Sequence, residues 1–103
     1  MRVEEVKPSQ RKKGRFLVKL EDGDILRVTE EELLRFGLRR GLELDGETWE
    51  ALRASARTSS AKAQAASIIG SRALSRRELE KRLVRKGNDE ADAQAAADWL
   101  ENL

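Results

Sequence analysis

Within the first 28 positions, short segments in which apolar residues recur among polar ones are separated by polar connections, which is the pattern of strands with one buried face. Residues 2–7 end at Pro8, which confines them to an edge strand. Residues 15–20 alternate around Phe16, Val18 and Leu20, and the Asp22-Gly23 pair predicts a tight turn into a third strand at 25–28. We therefore expect a three-stranded antiparallel sheet. Because so small a sheet is unstable alone, another element must cover one of its faces.

The apolar spacing changes to a helical repeat after the third strand. Thr29 followed by Glu32 has the form of a capping box, which predicts a helix that covers the sheet and ends at Gly37. Asp45 predicts the start of another helix. Whether that helix continues through residues 58–60 stays open, because Thr and Ser are weak in a helix interior but favourable at a new cap.

A second capping-box pattern, at Ser75 and Glu78, opens the most complete helix signal of the chain. Leu79 and Leu83 share one face of this helix, and Gly87 permits the left-handed conformation that ends it. Apolar residues with helical spacing also occur before Ser75 and after Gly87. The C-terminal part is therefore expected to be a trihelical unit of helix-turn-helix character.

The expected fold class is α+β, mostly α: a small three-stranded antiparallel sheet with a covering helix, followed by the trihelical unit. We expect three parts along the chain. These are a sheet-and-helix subdomain at 1–44, a connecting helix at 45–60 and a three-helix repeat at 61–103. At 103 residues the chain can bury only a thin core.

Charge is divided by segment although the whole chain has a net charge of only +2. Residues 1–19 carry +5, 20–50 carry −6, 51–74 carry +4, 75–87 carry +4 and 88–103 carry −5. The acidic blocks lie mostly at predicted helix starts, where carboxylates interact favourably with the helix dipole. Part of the division is therefore local helix chemistry, and the basic segments are the more informative ones.

Six cationic side chains are the candidate contacts for a negatively charged partner: Arg77, Lys81, Arg82, Arg85, Lys12 and Lys13. The first four lie on the Ser75 helix, on or beside a stripe roughly opposite Leu83. The last two lie in the polar loop between the first two strands. Such cations suit DNA phosphates or an acidic protein surface. The alternative is a solvated surface that binds nothing, which is common for small charged helices.

The residue inventory excludes most catalytic chemistry. The chain has no His, Cys or Tyr, so disulfides and the usual zinc sites are excluded and general bases are few. Glu30, Glu31 and Glu32 are consecutive and are expected to stabilise a helix start rather than hold a cation. No glycine-rich phosphate loop is present. We expect a protein that is not an enzyme and has no cofactor.

No apolar run approaches the length of a membrane span, and the N-terminus lacks the apolar region of a signal peptide. A cytoplasmic protein that does not contact a membrane is expected.

The C-terminal half resembles the first three-helix repeat of the RecX family. The family pattern is R-x-x-S followed by E-L-x-x-K-L-x-x-K-G, and the matching residues are Arg72, Ser75, Glu78, Leu79, Arg82, Leu83, Lys86 and Gly87. Arg82 stands where the family has Lys, which preserves the charge. The N-terminal half is similar to the form of this family that begins with a small β-sheet.

The resemblance implies a regulator that binds the RecA recombinase–DNA filament and lowers its ATPase and strand exchange, in DNA repair, recombination and the SOS response. The family continues with further repeats beyond the position of Leu103, so we expect an N-terminal fragment or a truncated relative. Two other functions stay open. One is a non-enzymatic DNA-binding module that contacts phosphates, and the other is a soluble interaction domain. The sequence leaves the oligomeric state open.

Overall fold

The alternating residues of the N-terminal segment form the predicted three-stranded antiparallel sheet. The structure is a computed structural model that describes residues 1–71 and 74–103, with side chains given for all of these except residue 71. Arg72, the first residue of the family motif, lies outside the described residues. The strands are β1 (Val3–Pro8), β2 (Arg15–Leu20) and β3 (Ile25–Thr29), in the order β1-β2-β3.

One face of the sheet packs into an apolar core. Val18 and Leu20 of β2 and Val28 of β3 lie on this face because alternate side chains of a strand point to the same side. A bulge after Val3 shifts the β1 register and keeps Val3 in the core. The remaining buried residues of this cluster follow the sheet in sequence: Leu38, Leu44, Leu52 and Ala56.

The helix α1 (Glu30–Arg35) begins with the predicted capping box. The backbone N–H of Glu32 donates to Thr29 Oγ1 at 3.1 Å, and the backbone N–H of Thr29 donates to Glu32 Oε1 at 2.9 Å. The Glu32 carboxylate is also buried, and the hydroxyl of Ser55 donates a short hydrogen bond to its other oxygen. Glu32 therefore links the start of α1 to a later helix as well as capping its own.

That later helix is α2 (Gly46–Ser71), and it begins after Asp45 as predicted. The backbone N–H of Thr48 donates to Asp45 Oδ1 at 2.7 Å, and this hydrogen bond lowers the pKa of the Asp45 carboxyl. The helix continues through residues 58–60 without a break. Seven alanines between positions 51 and 66 explain this, because alanine has the highest helix propensity and outweighs three weak helix formers.

Contacts within the chain define two compact units, Met1–Ala56 and Arg57–Leu103. The helix α2 passes through the boundary between them. The three-part organisation at 1–44, 45–60 and 61–103 stays a prediction, whereas the α+β, mostly α fold class is confirmed.

The second unit contains α3 (Arg76–Arg85) and α4 (Glu90–Glu101). Ser75 caps α3 by accepting the backbone N–H of Glu78 at 3.2 Å, and Asp89 caps α4 in the same way. Leu79 and Leu83 are buried as predicted. Alanines supply most of the remaining core, which consists of Ala61, Ala65, Ile68, Ala93, Ala96 and Ala97.

Gly87 ends α3 with a positive φ of 107°. Its conformation lets the backbone N–H of Asn88 reach the Leu83 carbonyl at 3.1 Å, while the N–H of Gly87 donates to the Val84 carbonyl. This pair of hydrogen bonds is a Schellman motif, for which glycine is favoured because it has no Cβ. The sharp end of α3 allows α4 to begin three residues later.

Candidate polyanion-binding site

The helix α3 exposes three of the predicted cations along one face. Arg77, Lys81 and Arg85 follow each other at intervals of four residues, and all three are exposed. With a rise of about 1.5 Å per residue, the stripe is about 12 Å long. Leu79 and Leu83 are buried on another side of the helix, so burial of the leucines orients the cations toward solvent.

The three cations also line a groove of about 470 Å³ beside α4. Its other lining residues are Glu80, Val84, Glu90, Ala93 and Gln94. The groove thus joins a cationic edge to apolar groups and two carboxylates. An acidic protein segment that also carries apolar side chains would fit this mixed lining, whereas phosphates would be confined to the cationic edge.

Arg76, which directly precedes the stripe, is fully engaged within the chain. Its guanidinium lies 2.6 Å from Asp98 Oδ1, 2.7 Å from Glu101 Oε2 and 3.1 Å from Glu80 Oε1. The hydrogen bond to Asp98 is the largest cause of the raised pKa of Arg76, followed by the bond to Glu80. Arg76 therefore ties α3 to the end of α4 and is not available to a partner.

The four candidate cations on α3 behave differently from Arg76. Within the described ranges, none of the ion pairs involves Arg77, Lys81, Arg82 or Arg85. Arg82 is half-buried and does not line the groove. The structure thus brings Arg77, Lys81 and Arg85 together, with Arg82 beside them. Their binding role stays a prediction.

Lys12 and Lys13 lie in the loop between β1 and β2, in the other compact unit. Both side chains are exposed. The loop is ordered by Ser9, whose hydroxyl accepts the backbone N–H groups of Arg11 and Lys12 at 3.3 Å each. Their role as contacts also stays a prediction.

The sequence pattern did not identify the groove residues outside the charge stripe. Val84 is 42% exposed, an unusual position for a valine, and it follows the buried Leu83 directly. Gln94 lies on α4, so its position beside α3 depends on how the helices pack. Val84 lies seven residues after Arg77 and three after Lys81, so helical periodicity was the one available signal that would have placed it beside the stripe.

At the start of α4, Asp92 has a raised pKa. Burial is the main cause and the charge of Asp89 the next, while Arg57, 3.7 Å away, opposes them. The folded protein therefore binds this proton more tightly than the unfolded chain. Protonated Asp92 therefore adds stability to the fold. This contribution is complete below the pKa of Asp92 in the unfolded chain, about 3.9, and is lost as the pH rises through its higher pKa in the folded protein.

We expect D92N to unfold at a higher urea concentration than the unchanged protein at pH 7, because the substitution removes a poorly solvated charge. The difference should shrink toward pH 3, where Asp92 is protonated. Urea titrations at both pH values measure it. Equal or lower stability of D92N at pH 7 would contradict the assigned direction.

Across residues 1–71 and 74–103, no helix is both long enough and apolar enough to cross a membrane. The same residues contain no group of three or more acidic, His or Cys side chains arranged to hold a metal ion.

Comparison with known proteins identifies the family. No protein-family model matches the chain. The regulatory protein RecX of Streptococcus equi subspecies zooepidemicus is 32% identical over 76 residues, which cover 74% of this chain and 30% of that protein. The RecX protein of Streptococcus equi subspecies equi is 30% identical over a stretch of the same length.

A crystal structure of a regulatory protein RecX superposes with a TM-score of 0.70 and 20% sequence identity, over 98% of this chain and 49% of that one. The chain belongs to the RecX family. The resemblance noted in the sequence is therefore confirmed, and the solved RecX structure supports the same fold. The match spans about 30% of the length of the two RecX relatives.

In this RecX-family chain, the residues that maintain α3 differ from those that give it an exposed positive charge. Ser75, Leu79, Leu83 and Gly87 cap, bury or end α3. The exposed cations occupy positions that the fold does not need for packing. In this chain, the residues that cap, bury or end α3 are therefore distinct from the three cations of its exposed row.

Proposed function

We propose that this chain is a regulator that binds the RecA recombinase–DNA filament and lowers the recombinase's ATPase and strand exchange. The observation that carries the proposal is the row of Arg77, Lys81 and Arg85, exposed and without ion pairs among the described residues of a RecX-family chain. Such a filament offers both DNA phosphates and acidic protein surface, which are the two partners that an exposed cationic row attracts.

The mixed lining of the groove supports a protein partner in addition to DNA. Arg77, Lys81 and Arg85 can contact phosphates or carboxylates, while Val84 offers apolar surface. No catalytic step is needed for this role, so the chain acts as a binding protein without cofactor. We expect it to act in the cytoplasm, in DNA repair, recombination and the SOS response.

The test is a charge reversal of the row. R77E/K81E/R85E should leave the circular dichroism spectrum unchanged, because all three side chains are exposed, and should weaken binding to recombinase filaments by more than about tenfold at 0.1 M salt. Inhibition of the filament ATPase should fall in parallel. Fluorescence anisotropy and an ATPase assay measure the two effects.

A matched control reverses three exposed cations of the first unit, K19E/R39E/R40E, which have no ion pair among the described residues and change the net charge by the same amount. The control should retain binding and inhibition. If the two variants lose binding equally, net charge explains the effect and the α3 row has no special role. Retained binding by R77E/K81E/R85E would also reject the site.

The second candidate function is a DNA-binding module that needs no recombinase, and the same exposed row favours it. Salt dependence separates the two. Binding to duplex DNA through three phosphates gives a slope of log affinity against log salt of about −2.7, from about −0.9 per phosphate. Stronger binding to filaments than to bare DNA under the same conditions supports the regulator. Because this chain carries one repeat, we expect weak filament binding and weak inhibition.

A further inference from the structure

The sheet has a second face, opposite the apolar core, which is open to solvent. Strand pairing aligns Lys7, Leu17 and Arg27 in one row across β1, β2 and β3. Arg15 lies two residues before Leu17 on β2 and therefore on the same face. Lys7 and Arg27 are exposed, and Arg15 and Leu17 are half-buried. None of this face packs into the core of the first unit.

This face is cationic at the end nearer to the loop between β1 and β2. The loop adds Arg11, Lys12 and Lys13, all exposed. This end of the face and the loop together contain six cations and no carboxylate. The residues counted are the row of Lys7, Leu17 and Arg27, the row of Arg15 and Thr29, and the loop. Within the part of the chain that the structure describes, no ion pair involves any of the six. The nearest carboxylates in sequence at this end are those of Glu30 and Glu31, which follow Thr29 at the start of α1.

The acidic residues of this face lie at its other end. Glu5 pairs across the strands with Lys19, and the turn at residues 21–24 carries three carboxylates. The open face therefore has a cationic half and an acidic half. An anion that approaches the sheet is attracted to the half next to the loop.

We propose that the cationic half of this face binds the backbone of a nucleic acid, at a site separate from α3. Lys7 and Arg27 stand about 9.6 Å apart, since two strand spacings separate them. One nucleic acid strand carries a phosphate about every 3.4 Å along the axis, so the row can face about three phosphates.

A continuous anion fits this surface better than an acidic protein does. The six cations have no carboxylate among them, whereas carboxylates on a protein are irregularly spaced and interrupted by its own cations. The face has no aromatic residue for base stacking. Binding should therefore depend on phosphates and show little preference for base sequence.

The test compares two doubly substituted chains of equal charge, K7Q/R27Q and the control R39Q/R40Q. Each is titrated into a labelled 20-base-pair duplex at several salt concentrations. The test variant should bind on the order of 10- to 60-fold more weakly at 0.1 M salt, and its salt slope should be shallower by about 1.8. The control should stay within about twofold of the unchanged chain. Circular dichroism checks that both are folded.

The comparison is repeated in a chain that already carries R77E/K81E/R85E, so that α3 cannot supply the binding. Recombinase is absent, so failure of the regulatory proposal leaves this result unaffected. Equal losses in K7Q/R27Q and R39Q/R40Q would overturn the proposal. So would a loss of affinity for polyglutamate with unchanged affinity for the duplex, which would instead indicate an acidic protein partner.

Discussion

L83A should lower the free energy of unfolding by about 2–5 kcal/mol, the range for truncating a buried leucine. Leu83 is completely buried, and five of the eight buried core residues of the second unit are alanines. Few large side chains are available to fill the cavity. A loss of this size is a large share of the total stability of a small domain. Urea unfolding followed by circular dichroism measures it.

The adjacent V84A is the matched control. Val84 is 42% exposed, and alanine is the better helix former, so this change should alter stability by less than about 0.5 kcal/mol. A similar loss for both variants would show that the core of the second unit does not depend on Leu83. It would also weaken the argument that buried leucines hold the cationic face outward.

E32A should lower the free energy of unfolding by about 2–4 kcal/mol, from the loss of a helix cap and of hydrogen bonds in a buried setting. Glu32 is 3% exposed. Its carboxylate accepts the Thr29 backbone N–H and the Ser55 hydroxyl, so the change affects α1 and α2 together.

E31A is the control because it removes a neighbouring carboxylate from the same first turn. Glu31 is exposed, so its loss should cost only about 0.5 kcal/mol through the helix dipole. Chemical unfolding of the two variants under identical conditions compares them. If E32A is as stable as E31A, the buried hydrogen bonds of Glu32 contribute little to the fold.

Local signals were sufficient to predict most elements of the fold. Alternation and the Asp22-Gly23 pair predicted the sheet, and Thr29, Ser75 and Gly87 marked helix ends that the structure contains. These features depend on residues within a few positions of each other, so the sequence alone carries them.

Features that depend on distant residues could not be predicted. Arg76 meets Glu101, which is 25 positions away, and only the packing of α3 on α4 brings them together. Ser55 reaches Glu32 across 23 positions. The continuity of α2 through residues 58–60 was left open because Thr and Ser are also favourable at a new cap, whereas in the structure the flanking alanines outweigh them. The open face of the sheet required the strand register, which places Lys7 and Arg27 in one row.

The carboxylates around Arg76 make the electrostatic environment differ between the two ends of α3. One guanidinium does not balance Glu80, Asp98 and Glu101 together, so these four groups carry a net charge of −2 near Arg76. Arg85 lies nine residues further on, about 13 Å along the axis and beyond the screening length of about 10 Å at 0.1 M salt. Arg77 is inside that distance. This negative charge therefore weakens the attraction of an anionic chain to Arg77 more than to Arg85, and the difference shrinks as the salt concentration rises.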